Sequence, residues 1–231
     1  MGSVFASNAV QIEEIAPETE CPRERPSHAA APTNLHSYET VKRSFDFLGA
    51  LMLVVLLLPV MLFVAALVKI TSKGPAIYVQ RRLTRGGKVF SMYKFRTMRV
   101  DAEANSGPVW AQHHDPRITP IGRFLRSSRL DELPQLVNVL VGDMSLIGPR
   151  PERPELAAEL AKELPDFNRR LEVRGGITGL AQVSSGYAAC SQSYRRKLAL
   201  DITYVNNRSI RLDCLIAAKT IAVMFTGFGA R

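Results

Sequence analysis

FLGALMLVVLLLPVMLFVAALV, residues 47–68, runs for twenty-two residues without a charged side chain. As a helix it is long enough to cross the hydrocarbon of a bilayer. Two features complicate a simple crossing. Pro59 lies near the middle, where proline removes a backbone donor and kinks or breaks a helix. Basic residues also flank both ends, Lys42 and Arg43 before and Lys69 and Lys73 after, whereas orientation ordinarily follows an excess on one side. A helix that enters the bilayer, breaks at Leu58-Pro59 and returns to the same face accounts for both facts. A straight span is the commoner fate of such a run. A buried helix of a soluble core is disfavoured at this length without polar interruption.

The surroundings divide the 231-residue chain into three parts. Residues 1–37 mix Pro, Glu, Ala, Ser and Thr without helical or strand periodicity, a composition expected to give a disordered tail. Residues 38–72 form the membrane segment and 73–231 a body. No secretory signal is expected, because the first forty residues lack an apolar core behind basic residues. The start MGSVFAS misses the myristoylation pattern, with Ala6 where Ser or Thr is wanted. Cys21, Cys190 and Cys214 are scattered and odd in number, which argues against a disulfide framework or zinc site and points to a reducing compartment. The net charge of +9 calls for an anionic partner: nucleic acid, a phospholipid surface or a phosphorylated substrate.

In the body, GPAIYVQRRL and KVFSMYKFRTM flank TRGGK, which predicts a β-hairpin around Gly86-Gly87. Beyond it the pattern is mainly helical. Apolar residues at 133, 136, 137, 140 and 141 form a helical stripe, PELAAELAKEL (154–164) is rich in helix formers, and SQSYRRKLALDITYVNNRS predicts a helix ending near Asn206-Asn207. LDCLIAAKTIAVMFTG, 212–227, is too short to span and should pack on the body or lie at the interface.

The chemistry concentrates in RSSRLDELPQL, 126–136, where Asp131 and Glu132 stand inside a basic stretch. One reading is structural: Ser128-x-x-Asp131 resembles a capping box, acidic groups suit a helix start, and Pro134 is tolerated there. The other is chemical. Arg126 and Arg129 lie close by, Lys94, Arg96 and Arg99 follow the hairpin, and Arg150 is held between two prolines. Rigidly held arginines are good bidentate phosphate ligands. Phosphoryl transfer needs such clamps, a metal and a nucleophile; Mg²⁺ takes one or two carboxylates plus substrate phosphates, and an Asp can attack phosphorus itself. Adjacent residues at a helix start diverge by about 100°, so one carboxylate can face phosphorus and the other the metal.

RSFDFLGALMLVVLLLPVMLFVAALVKITSKGPAIYVQ, KVFSMYKFRTM, DPRITPIGRFLRSSRLDELPQLVNVLVGDMSLIGPRP and GITGLAQV, spanning about 40 to 226, together resemble the bacterial sugar transferases. More specifically, they resemble the small monotopic polyprenyl-phosphate phosphoglycosyl transferases that start exopolysaccharide, O-antigen or glycoprotein glycan assembly. The resemblance implies transfer of a sugar-1-phosphate, a hexose such as glucose or galactose, from a UDP-sugar to undecaprenyl phosphate with release of UMP. It implies Asp131 as nucleophile and Glu132 as Mg²⁺ ligand, with Arg126 and Arg150 on substrate phosphates. Lys94 and Arg96 in KFRTM, Gln182 in the Gln-Val motif and Asp201 in the LD-x-x-Y-V stretch fall on family motifs with less defined roles. It favours the re-entrant helix broken at Pro59. The implied fold is α+β and mainly helical: a membrane-embedded helix-break-helix, a β-hairpin and a compact helical catalytic body with interfacial helices. The implied location is the cytoplasmic face of the bacterial inner membrane, with lipids and later-acting glycosyltransferases as partners and no nucleic acid.

Two departures stand out. Gly175-Gly176 replaces the family's Pro-Gly, and Gly186 occupies the place of an expected arginine, for which Arg174, Arg195 or Arg196 are candidate substitutes, Arg174 as a phosphate ligand. His113-His114-Asp115 lacks further ligands at metal spacing and reads as a loop. A non-catalytic membrane scaffold binding anionic lipid or assembly partners is the alternative function. A nucleic-acid binder lacks any supporting motif.

Overall fold

The computed structural model describes residues 35–100, 102, 115–185 and 191–226. The expectations for the tail before residue 35, for His113-His114 and for Gly186 fall outside them. One long helix, α1 (Leu35–Thr71), leads into a hairpin of β1 (Ile77–Leu83) and β2 (Val89–Phe95). Then follow α2 (Pro120–Ser127), α3 (Gln135–Val141), β3 (Met144–Ile147), α4 (Pro154–Glu163), β4 (Gly175–Thr178), α5 (Leu180–Ser184), α6 (Ser191–Asn207) and α7 (Ile210–Thr226). The fold is therefore mostly helical with a few strands, as the sequence predicts.

α1 differs from expectation in one respect: it stays helical through Pro59, where the sequence predicts a break. Proline deletes one backbone bond and kinks a helix without having to end it, and here both halves are held by packing. Ala50, Leu53 and Val54 pack with Phe90, Met92, Leu136 and Val139; Met61, Val64 and Val68 pack with Phe95, Leu125 and Leu133. The other side of the helix is bare, with Leu48, Met52, Val55, Leu56, Leu62 and Phe63 exposed. Only 11 % of its most apolar window is buried, so this is no helix of a soluble core.

β1 and β2 pair antiparallel from Ile77↔Phe95 to Leu83↔Val89, the predicted hairpin. The parallel pair β3–β4 is unforeseen. Its close contact explains Gly176: a Cβ there would lie 2.1 Å from the backbone N of Gly148, a clash with backbone that cannot move aside. α3 is shorter than its stripe suggests. Leu136 and Val139 are buried, whereas Val137 and Val141 are exposed. Asn138 locks α3 to the hairpin, accepting from Tyr93 N at 3.0 Å and donating to Ser91 O at 2.8 Å. α7 packs on the body through Leu212, Ile216 and Val223, as expected, and exposes Leu215, Ile221 and Met224.

Candidate active site

Asp131 and Glu132 lie in a 3-10 turn (Leu130–Glu132) between α2 and α3. Ser128 does not cap it. Its Oγ donates back to Phe124 O and Leu125 O as the end of α2, so the capping-box reading is corrected. Arg129 then adopts the left-handed conformation (φ 58°), which non-glycine residues occupy at a cost and which turns the chain sharply into the dyad. A 3-10 turn places successive side chains about 120° apart, and the two carboxylates have different surroundings.

Glu132 is paired with two cations. Lys94 Nζ donates to Oε1 at 3.0 Å; Arg150 donates to the same oxygen through Nη2 and to Oε2 through Nη1 at 3.3 Å. Burial alone would raise its pKa, but the Arg150 and Lys94 charges and hydrogen bonds hold it well below the ordinary carboxylate range. Asp131, only 8 % exposed, accepts no hydrogen bond from the described residues. Burial pushes its carboxyl up; Lys94, Arg126 and Arg150 oppose that with positive charge, while Glu132 adds to it. The result is a desolvated carboxyl facing three cations without being tied to any.

The cations are themselves fixed. Lys94 projects from β2, and its own pKa is lowered by burial. Arg126, in the last turn of α2, donates Nε to Thr97 Oγ1 at 2.9 Å. α2 approaches Thr97 so closely that a Cβ on Gly122 would sit 2.0 Å from Thr97 O. The Pro-Arg-Pro loop is tied at four consecutive carbonyls. Pro149 O accepts from Gly176 N at 2.8 Å, Arg150 O from Arg170 Nη2 at 2.8 Å, Pro151 O from Arg82 Nη1 at 2.9 Å and Glu152 O from Leu83 N at 2.9 Å. The Arg150 side chain nevertheless remains 36 % exposed, open to a ligand.

Lys94, Arg126, Asp131, Glu132 and Arg150 thus come together. Asp201 acts from behind: its carboxylate pairs with Arg170 Nη2 at 2.8 Å, and the same nitrogen grips Arg150 O. Arg96 turns away to the end of α1, donating to Ser72 O at 2.9 Å and Ser72 Oγ at 2.7 Å. Gln182 braces Ile177 O at 2.8 Å. Arg174 donates Nε to Gly142 O at 3.1 Å and lines a cavity beside the start of α1; no hydrogen bond joins it to the dyad. Sequence reasoning missed Thr97, Arg82 and Arg170. Thr97 sits inside KFRTM and carries a usable signal, whereas Arg82 and Arg170 have no motif to distinguish them from surface charges.

No three His, Cys, Asp or Glu side chains converge among the described residues. Oε2 of Glu132 accepts a single bond, leaving it a lone pair, and Asp131 is untied. Two such carboxylates match a cation that completes its shell with substrate phosphate and water.

The family described as "Bacterial sugar transferase" matches residues 37–227. The chain is 45% identical over 194 residues to the UDP-N-acetylgalactosamine-undecaprenyl-phosphate N-acetylgalactosaminephosphotransferase of Aeromonas hydrophila, covering 84% of this chain and 46% of that protein. It is 41% identical over 191 residues to the exopolysaccharide production protein PSS of Rhizobium leguminosarum bv. phaseoli, covering 80% and 96%. Against the UDP-glucose:undecaprenyl-phosphate glucose-1-phosphate transferase of Caulobacter vibrioides it is 38% identical over 187 residues, covering 80% and 70%. It therefore spans about half the length of the Aeromonas relative and nearly all of the Rhizobium one.

Proposed function

The chain belongs to the bacterial sugar transferase family, and we propose that it moves a sugar-1-phosphate from a UDP-sugar to undecaprenyl phosphate, releasing UMP. The observation that carries this is the contrast within the dyad: a buried, untied carboxyl on Asp131 beside a Glu132 clamped by Lys94 and Arg150. An Asp131 carboxylate oxygen attacks the phosphorus that bears the sugar, forming an O–P bond as the bond to UMP breaks and its electron pair leaves with UMP. A phosphate oxygen of undecaprenyl phosphate then attacks the same phosphorus, and cleavage of the Asp131 O–P bond restores the carboxylate. Arg126 and Arg150 hold the donor phosphates, and Lys94 lies where it can balance charge on the reacting group. Asp131 and Glu132 would hold a Mg²⁺ shared with the substrate; when bound it supplies charge neutralisation at the transferring phosphoryl oxygens.

The packing of α1 supports a monotopic topology. Its two halves rest on one body, Ala50 and Val54 on Phe90 and Met92, Val64 and Val68 on Phe95. A straight crossing would carry β2, with Lys94, into hydrocarbon, where each charge costs about 3 kcal/mol or more. Re-entry, with both ends of α1 on the cytoplasmic side where UDP-sugars are, avoids that penalty and requires the unbroken helix to bend at Pro59 rather than to break there. The enzyme would catalyse the first membrane step of exopolysaccharide or surface-glycan assembly and hand its lipid product to later glycosyltransferases.

The test is UMP release by detergent-solubilised protein supplied with undecaprenyl phosphate, Mg²⁺ and a panel of UDP-hexoses and UDP-N-acetylhexosamines. One donor class should support release that requires both acceptor and Mg²⁺. No release from any donor would contradict the reading in favour of a scaffold.

A further inference from the structure

The first turns of α1 and the segment between α6 and α7 border an open cavity lined among others by Glu39, Lys42, Asp46, Arg85, Arg174 and Arg208. Two of its cations are neutralised. Lys42 Nζ lies 3.1 Å from Asp213 and 3.8 Å from Asp46, and Arg85 Nη1 lies 2.5 Å from Glu39. The other two have no carboxylate partner among the described residues. Arg174 gives Nε to Gly142 O at 3.1 Å, and Arg208 gives Nη1 to Val205 O at 2.5 Å, while Arg208 Nε is buried without an acceptor. Carbonyls at the ends of α3 and α6 suit a cation, but each engages one of five guanidinium N–H donors.

The cavity's position restricts what fills it. Lys42 precedes the start of the apolar run at Phe47 by five residues, roughly 7 Å along a helix. That is about the thickness of one headgroup layer of a bilayer. Val41 and Phe45, exposed on the same turns of α1, sit at the same level. Two arginines lining one cavity, each with donors left over, suit the tetrahedral oxygens of a phosphate.

We propose that this cavity is a phosphate site in which Arg174 and Arg208 hold the anion, presented either as the headgroup of an acidic phospholipid or as free phosphate. The site stands apart from the dyad, and its occupation ties the residue before β4 to the residue after α6 beside the start of α1. The proposal does not rest on the reaction assigned above.

It is tested on the detergent-solubilised full chain by thermal melting and native mass spectrometry, with dihexanoyl phosphatidylglycerol, dihexanoyl phosphatidylcholine and inorganic phosphate as probes. Phosphatidylglycerol should raise the melting temperature and remain as a one-to-one adduct, whereas phosphatidylcholine should do neither. A matching response to inorganic phosphate assigns free phosphate as a sufficient ligand; response to phosphatidylglycerol alone assigns the lipid. Arg174→Gln and Arg208→Gln should each weaken binding about tenfold or more, as loss of a charge-assisted bond requires, and Arg208→Lys should retain part of it. Equal responses to the two lipids, no response to either anion, or unchanged affinity in both glutamine variants would overturn the proposal. Should Arg208→Gln fail to fold, Arg174→Gln alone decides, because its side chain is held by one hydrogen bond.

Discussion

The Pro-Arg-Pro loop and the turn carrying Asp131 lie side by side and are built in opposite ways. In the loop, four consecutive carbonyls each accept a hydrogen bond, and Arg150 is aimed by groups from β1, β4 and the segment between α4 and β4. In the turn, Asp131 is buried with no donor among the described residues, behind a left-handed Arg129. The clamp is rigid, whereas the Asp131 carboxyl, held by no hydrogen bond from the described residues, is left free to react.

The largest break in that contrast comes from Asp131→Asn. It keeps the shape and removes the nucleophile, and UMP release should fall about 10⁴-fold or more. A loss of only tenfold would place the reactive group elsewhere. Glu132→Gln should cost on the order of 10²-fold in turnover and alter the Mg²⁺ titration. It should also lower the melting temperature, since removing one partner of a buried pair leaves its cations uncompensated at about 3–5 kcal/mol. Arg170→Met sharpens the comparison from the loop side. It frees Arg150 O and leaves Asp201 alone, so we expect roughly a tenfold loss carried mainly by KM for the donor, with the dyad intact.

Asp201 supplies a pH dependence with a defined sign. Burial pushes its pKa from 3.8 up to about 6, against the pull of Arg170. Between about pH 4 and 6 the folded chain therefore holds a proton that the unfolded chain has released. Stability should decline as pH rises through that window by on the order of 3 kcal/mol. Denaturant unfolding at pH 4.5 and 6.5 should show the decline in the natural chain and lose that contribution in Asp201→Asn. The smallest effect expected is at Thr97. Thr97→Val removes only the acceptor for Arg126 Nε and should raise donor KM a few-fold, about 1 kcal/mol, with recovery in Thr97→Ser.

The parts legible in the sequence are those whose signal is local. The hairpin follows from its strand residues around Gly86-Gly87, and α4, α6 and α7 follow from periodicity and composition. The β3–β4 pair was not legible, because two four-residue strands thirty-one positions apart are fixed by glycine contacts rather than by strand propensity. The α3 stripe pointed only partly at the core, because an apolar residue facing lipid and one facing the interior look alike in sequence. Val137 and Val141 are exposed on the protein surface. Ser128 misled because a serine three residues before an acid fits both a helix start and, as here, a helix end. The dyad and Arg150 were legible through motif resemblance. Arg170 was not, because its role is to hold a backbone carbonyl, which leaves no pattern in the chain.

The most direct measurement is the intact mass of the protein quenched after mixing with its UDP-sugar and Mg²⁺ in the absence of acceptor. The account predicts an added sugar phosphate, mapped to the peptide containing Asp131 and discharged by undecaprenyl phosphate. Full turnover in a preparation that never carries that mass would contradict it.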